Sequence, residues 1–221
     1  MNTFLFSNRN WKSALPFCKD ASDSVYVAML EGANDPLPNM EFAKMVYQKN
    51  PNSEILKFLW LREAHKMEEY WLTKNKYESK NIHYLDYDKP IDMDSLYVNA
   101  QILSQFIDLS NGILNHTENI PAKVSVANSL AYYYYKTGDY TKAQSMLEKI
   151  TSLQKDEIER KQFELLSTVI HLKKNNLLET EKFMALIQYF KSIAPGQTNN
   201  HVGYYLLYNE IAPYYLEKKD T

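Results

Sequence analysis

Apolar residues recur along most of this chain at intervals of three and four, the spacing that lays one stripe down a helix. From about Trp11 to Leu30 the stripe runs through Trp11, Leu15, Cys18, Val25, Met29 and Leu30. Pro16 and the Asp20–Asp23 stretch are expected to break it in two. Gly32 to Pro38 reads as a turn. Asn39 then reads as the cap of a helix carrying Met40, Phe42, Ala43, Val46 and Tyr47, which Asn50-Pro51 ends.

Ser53 caps the next helix, expected to run to about Thr73. Ile55, Leu56, Leu59, Trp60, Glu63, Met67, Tyr70 and Trp71 share its stripe, with Lys57, Arg62, Lys66 and Glu69 elsewhere around it. Trp60, Leu61 and Trp71 make it apolar over a wide arc, so it is expected to be central. Residues 74–90 show no helical stripe, and Ile82 and Tyr84 mark at most a short extended piece. Asp92 or Asp94 starts a long helix through Leu96, Ala100, Leu103, Phe106, Ile107, Ser110 and Leu114. Another begins at Pro121, a residue suited to a first helical turn. Pro195-Gly196 precedes a last amphipathic stretch, Val202 to Lys218, which Pro213 should kink or break near Ile211.

Composition narrows this reading. Of 221 residues, 45% are hydrophobic and 24% charged, the balance of a globular protein with a real core. A net charge of -2 without any Lys/Arg block argues against a nucleic-acid footprint. Only five glycines are present, and no two lie close enough to cradle a phosphate. The 18 tyrosines fit helix or strand, so periodicity has to decide. Cys18 is the single cysteine; it reads as a buried, inert thiol and fits a reducing cytosol. No stretch approaches the ~20 apolar residues that span a bilayer. Taken as the natural start, the N-terminus lacks a signal core and implies a cytoplasmic protein. A chain trimmed of its leader, exported or lipid-anchored, would read the same.

The most specific pattern lies at 124–151. Leu130 and Ala131 form a large–small pair, Tyr134 follows three residues later, Gly138-Asp139-Tyr140 makes a turn, and Ala143 opens a second helix. Gly138 can close the first helix and Asp139 cap the next. The two alanines allow close antiparallel approach. The segment resembles a tetratricopeptide repeat. Residues 156–187 repeat the shape, with Asn175-Asn176-Leu177 at the turn but Thr168 and Thr180 in place of the alanines. Residues 20–51 offer a third, degenerate match through Val27, Leu30, Asn34-Asp35, Ala43, Val46 and Pro51. The resemblance implies one all-α domain over residues 1–221, a right-handed array of antiparallel helix pairs (a tetratricopeptide-like solenoid) with irregular extra helices.

In such arrays the first helix of each pair lines a concave groove that receives protein or peptide segments. The matching positions here are Ser125, Asn128, Tyr132, Tyr135 and Lys136. Tyr132 to Tyr135 are four consecutive tyrosines, which point around most of a helix; neighbouring helices are expected to bury three of them.

Other chemistry is weakly signalled. Arg62 to Glu69 holds His65 and carboxylates but no second His for a zinc signature, and reads as a surface ion-pair helix. Asp86, Asp88, Asp92 and Asp94 lack the central Gly and distal Glu of a calcium loop. Asn115-His116-Thr117 is a glycosylation sequon of the kind that arises by chance. No nucleophile motif surrounds any Ser or Cys. The expectation is therefore a non-enzymatic, cofactor- and metal-free module that binds another protein or a peptide. A bacterial immunity protein that neutralises a toxin or effector, or an adaptor, would fit; a peptide- or ligand-sensing regulatory domain is the first alternative, and an enzyme whose catalytic groups lie apart in sequence the second.

Overall fold

The computed structural model describes residues 14–35, 38–67, 100–192 and 210–219, and every regular element among them is helical. A 3-10 turn at Leu15–Phe17 precedes α1 (Ala21–Asn34), α2 (Met40–Lys49), α3 (Glu54–Met67), α4 (Ala100–His116) and α5 (Ile120–Lys136). Then come α6 (Tyr140–Glu148), α7 (Glu157–Asn175), α8 (Thr180–Ser192) and α9 (Ala212–Lys219). The chain forms two compact units, Met1–Ser129 and Leu130–Thr221, divided inside α5. The expected helix start at Asp92 or Asp94, the 74–90 segment and the stretch before Glu210 lie outside the described residues.

The helix starts follow from short polar side chains that accept from orphan backbone N–H groups. Asp20 accepts from Asp23 N at 3.0 Å and Asn39 from Glu41 N at 3.0 Å. Ser53 accepts from Ile55 N at 3.3 Å and Asn119 from Ala122 N at 3.0 Å. Asp139 accepts from Lys142 N at 3.1 Å. Asp156 and Glu159 exchange bonds in a capping box at the head of α7. Pro213 falls in the first turn of α9, where its missing N–H costs nothing.

In the first unit α2 lies against α1, α3 and α4. Leu56, Leu59 and Trp60 of α3 are fully buried, and Trp60 stacks on Phe106 of α4 with ring centroids 4.5 Å apart. Burying each such side chain stabilises the fold by roughly 1.5–3 kcal/mol. The buried arc is narrower than expected, because Leu61 and Phe58 face solvent. Gly32 is not part of a turn. It lies inside α1, and a Cβ there would stand 2.7 Å from Leu59 Cδ2 and 3.0 Å from Phe42 Cβ. Close approach of α2 and α3 to α1 is what demands glycine at this position.

The surface ion-pair reading of α3 is overturned. Glu63 and Lys66 are both 0% exposed and pair at 2.5 Å. Lys66 Nζ also donates to Gly32 O at 3.1 Å, and Glu63 Oε2 accepts from Asn39 N at 2.7 Å. Arg62 Nε donates to Ala33 O at 3.2 Å. The cations thus meet the carbonyl end of α1 and the carboxylate meets the N–H end of α2, as the helix dipoles favour. Burial nevertheless pushes the Glu63 carboxyl up to about 7, with Lys66 and the Asn39 N–H opposing and Asp35 adding to the rise.

A second tie joins two corners. Thr117 Oγ1 donates to Pro51 O at 2.5 Å, and Glu118 N donates to Asn52 Oδ1 at 2.9 Å. Asn119 Nδ2 donates to Ser53 O at 2.9 Å. The sequon threonine is therefore a buried structural residue.

In the second unit α7 packs on α6 and on α8. Ala131 and Ala143 are fully buried, and Gly138 closes α5 at φ 82°. Asn176 ends α7 at φ 50°, a left-handed position that Asn tolerates. Thr168, in place of a repeat alanine, is buried and donates to Glu164 O at 2.7 Å, so its hydroxyl costs little. Cys18 of the first unit is half-buried rather than buried.

Two outcomes test the ion-pair network. Glu63→Ala should cost about 3–5 kcal/mol in urea unfolding, because it strands a buried ammonium. Glu63→Leu with Lys66→Met should recover most of that loss. The Glu63 carboxyl titrates higher folded than unfolded, so between about pH 4.5 and about 7 the folded chain holds the extra proton. Stability should therefore fall as pH rises through that window. The double variant should lose this component; an unchanged pH profile would contradict the assignment.

Candidate functional site

The five residues expected to line a groove all lie on α5, on either side of the division between the units. In the first unit, Ser125 is buried, and its carbonyl accepts from Ser129 Oγ at 2.8 Å. Asn128 is also buried, and its side-chain amide N and O make no hydrogen bond. In the second unit, Tyr132 is half-buried and its ring centroid lies 6.4 Å from that of Tyr135. Lys136 Nζ stands 5.8 Å from the Tyr132 centroid, a cation–π contact. Tyr135 is the one fully buried tyrosine of the four; Tyr132, Tyr133 and Tyr134 are half-buried. Burial, with Tyr134 adding, pushes the Tyr133 hydroxyl up to about 12.

Tyr135 does not face open solvent. Its hydroxyl donates to Glu210 Oε1 in a short hydrogen bond. Glu210 Oε2 lies 3.1 Å from Lys173 Nζ, close enough for an ion pair although not aligned as a hydrogen bond.

A different concavity was not legible from the repeat positions. A cleft of about 520 Å³ opens between α6 and α7 in the second unit. Leu147, Ile170 and Phe163 supply its apolar lining, and Ser167 leaves room among them. Its rim is polar. Lys174 Nζ donates to Gln144 Oε1 at 2.7 Å, and Gln144 Nε2 donates to Glu148 Oε1 at 2.8 Å. The amide thus links the two rim charges. Asn175 Nδ2 lies 3.0 Å from His171 Nδ1. None of Ser125, Asn128, Tyr132, Tyr135 and Lys136 lines this cleft.

Lys155 ties the turn after α6 to the Phe163 ring of α7. Its ammonium donates to the carbonyls of Ile150, Leu153 and Thr151 at the end of α6 and stands 4.8 Å from the Phe163 centroid. Burial depresses the pKa of this ammonium. The turn after α6 and the Phe163 wall of the cleft are thereby joined.

Compared with known protein families, curated proteins and solved structures, the chain matches none. Among the described residues no helix is long and apolar enough to cross a membrane, and no three His, Cys, Asp or Glu side chains gather as a metal site. His65 is exposed on α3, and Glu69 lies outside the described residues.

Proposed function

We propose that the chain is a helical-repeat binding module of the tetratricopeptide type, which captures a segment of another protein stoichiometrically. The observation that carries this reading is the cleft between α6 and α7. Its apolar lining can take one apolar side chain, and its rim offers amide and imidazole groups that match the N–H and C=O of a peptide backbone. Its rim charges are already joined through Gln144, so the fitting occupant is an uncharged stretch of polypeptide. Within the units, α1 packs on α2 and α7 on α8, as the repeat resemblance would have them, which supports the reading. An immunity-type protein or an adaptor would use such a cleft alike, by occupying a partner segment rather than transforming it.

The ligand-sensing alternative draws on one fact, the cleft volume, which lies within the range of small-molecule pockets. A thermal-shift screen of small molecules tests this alternative, since a bound ligand stabilises the chain by an amount that grows with the logarithm of its concentration over its dissociation constant.

Ser167→Trp provides the direct test, because the indole fills the cleft from α7. Wild-type chain, tagged and returned to cells of its source, should retain one partner in equimolar amount. Ser167→Trp should lose at least 90% of it, on the order of a tenfold weaker complex, while keeping its helical circular dichroism. Full retention by the folded Ser167→Trp chain would overturn the cleft assignment.

A further inference from the structure

Glu210 is the least expected buried group in the second unit. It is 2% exposed, and its carboxylate meets two side chains from elsewhere in the chain: the Tyr135 hydroxyl on α5 and the Lys173 ammonium on α7. Removing a carboxylate from water is costly unless charge and hydrogen bonds replace the solvent. The Tyr135–Lys173 pair does both. Tyr135 is itself only 7% exposed, so its hydroxyl has little water to turn to. Lys173 keeps 32% of its side chain exposed, so the cation remains reachable from solvent.

The helix that follows adds little burial of its own. Tyr215 and Leu216 of α9 are exposed, at 48% and 64%. Pro213 and Tyr214 are half-buried and Glu217 is exposed. A π-type turn at Glu210–Ile211 leads into the helix, a local widening that places the carboxylate just before its first residue. Among residues 210–217, Glu210 is the one buried residue, so a polar anchor rather than an apolar face is the deepest point of this stretch.

We propose that Tyr135 and Lys173 form a receptor for a single carboxylate, which Glu210 fills within the chain, and that α9 is a displaceable cap over it. A partner segment presenting an acidic side chain competes for the same two groups. The cap holds the advantage of tethering, because a group on the same chain has an effective concentration in the millimolar range. Displacement therefore selects for partners that add contacts of their own beyond the carboxylate. This site is separate from the cleft between α6 and α7, and its test does not depend on that cleft.

The probe is a fluorescent peptide of residues 207–221 of this chain, offered to the full-length protein. Glu210→Ala in the protein should empty the receptor and raise peptide affinity at least tenfold over wild type. A peptide carrying Glu210→Gln should lose that gain. Hydrogen exchange supplies a second readout, which needs no added ligand. Amides of 212–219 should exchange at least tenfold faster in both Glu210→Ala and Tyr135→Phe, while those of α7 stay as in wild type. Tyr135→Phe keeps the ring and its packing, so it reports on the hydroxyl alone. Equal peptide binding by wild type and Glu210→Ala, or unchanged exchange in 212–219 in both variants, would overturn the proposal.

Discussion

The buried contact between Glu63 and Lys66 organises the first unit. Two helix ends and a third helix meet there, and the charges lie where each end needs them. The carbonyl end of α1 receives Lys66 and Arg62, and the amide end of α2 receives Glu63. An ion pair of this kind is not a large net source of stability, since desolvating both groups costs several kcal/mol. The Glu63 carboxyl, held up to about 7, records that cost. What the pair contributes is uniqueness. The charges have low-energy partners only when α1, α2 and α3 meet in this one arrangement, with Gly32 allowing the approach.

The second unit is organised by different means. Its helix ends are closed locally, by Gly138 and Asp139 at one turn and by the Asp156–Glu159 box at another. Small residues, Ala131 and Ala143, sit at fully buried positions. Where the facing residues are Gln144 and Ser167 instead of large apolar groups, α6 and α7 leave a cleft. The proposed binding role rests on this incomplete filling between helices, a common origin of ligand sites. The same unit holds Glu210 against Tyr135 and Lys173, so a position expected to face a groove is engaged by the C-terminal segment of its own chain.

Local signals were legible and distant ones were not. The caps at Asn39, Ser53 and Asp139 and the breaks at Pro51 and Gly138 depend on a few adjacent residues, and the sequence shows all of them, whereas the left-handed residue ending α7 is Asn176, one position beyond the equivalent of Gly138. Asp156-x-x-Glu159, the capping box at the head of α7, is a local signal of the same kind. Gly32 misled, because glycine signals a turn by conformation but here serves helix packing against Leu59 and Phe42, 27 and 10 positions on. Glu63 fell on the apolar stripe, yet Lys66 was placed on the solvent side. The Gly32 carbonyl that meets Lys66 and the Asn39 N–H that meets Glu63 come from outside α3, and no spacing within α3 announces them. The cleft was hidden for the same reason: its walls are 30 residues apart, at Gln144 and Lys174.

The division of labour between the units is open to one direct measurement. Hydrogen exchange of the full chain, alone and saturated with a partner retained in equimolar amount as the proposed function expects, reports which amides become protected. Protection concentrated in α6 and α7, between Tyr140 and Asn175, with α1–α3 unchanged, is the result expected if the second unit presents the binding surface. Protection confined to α1–α3 would contradict it.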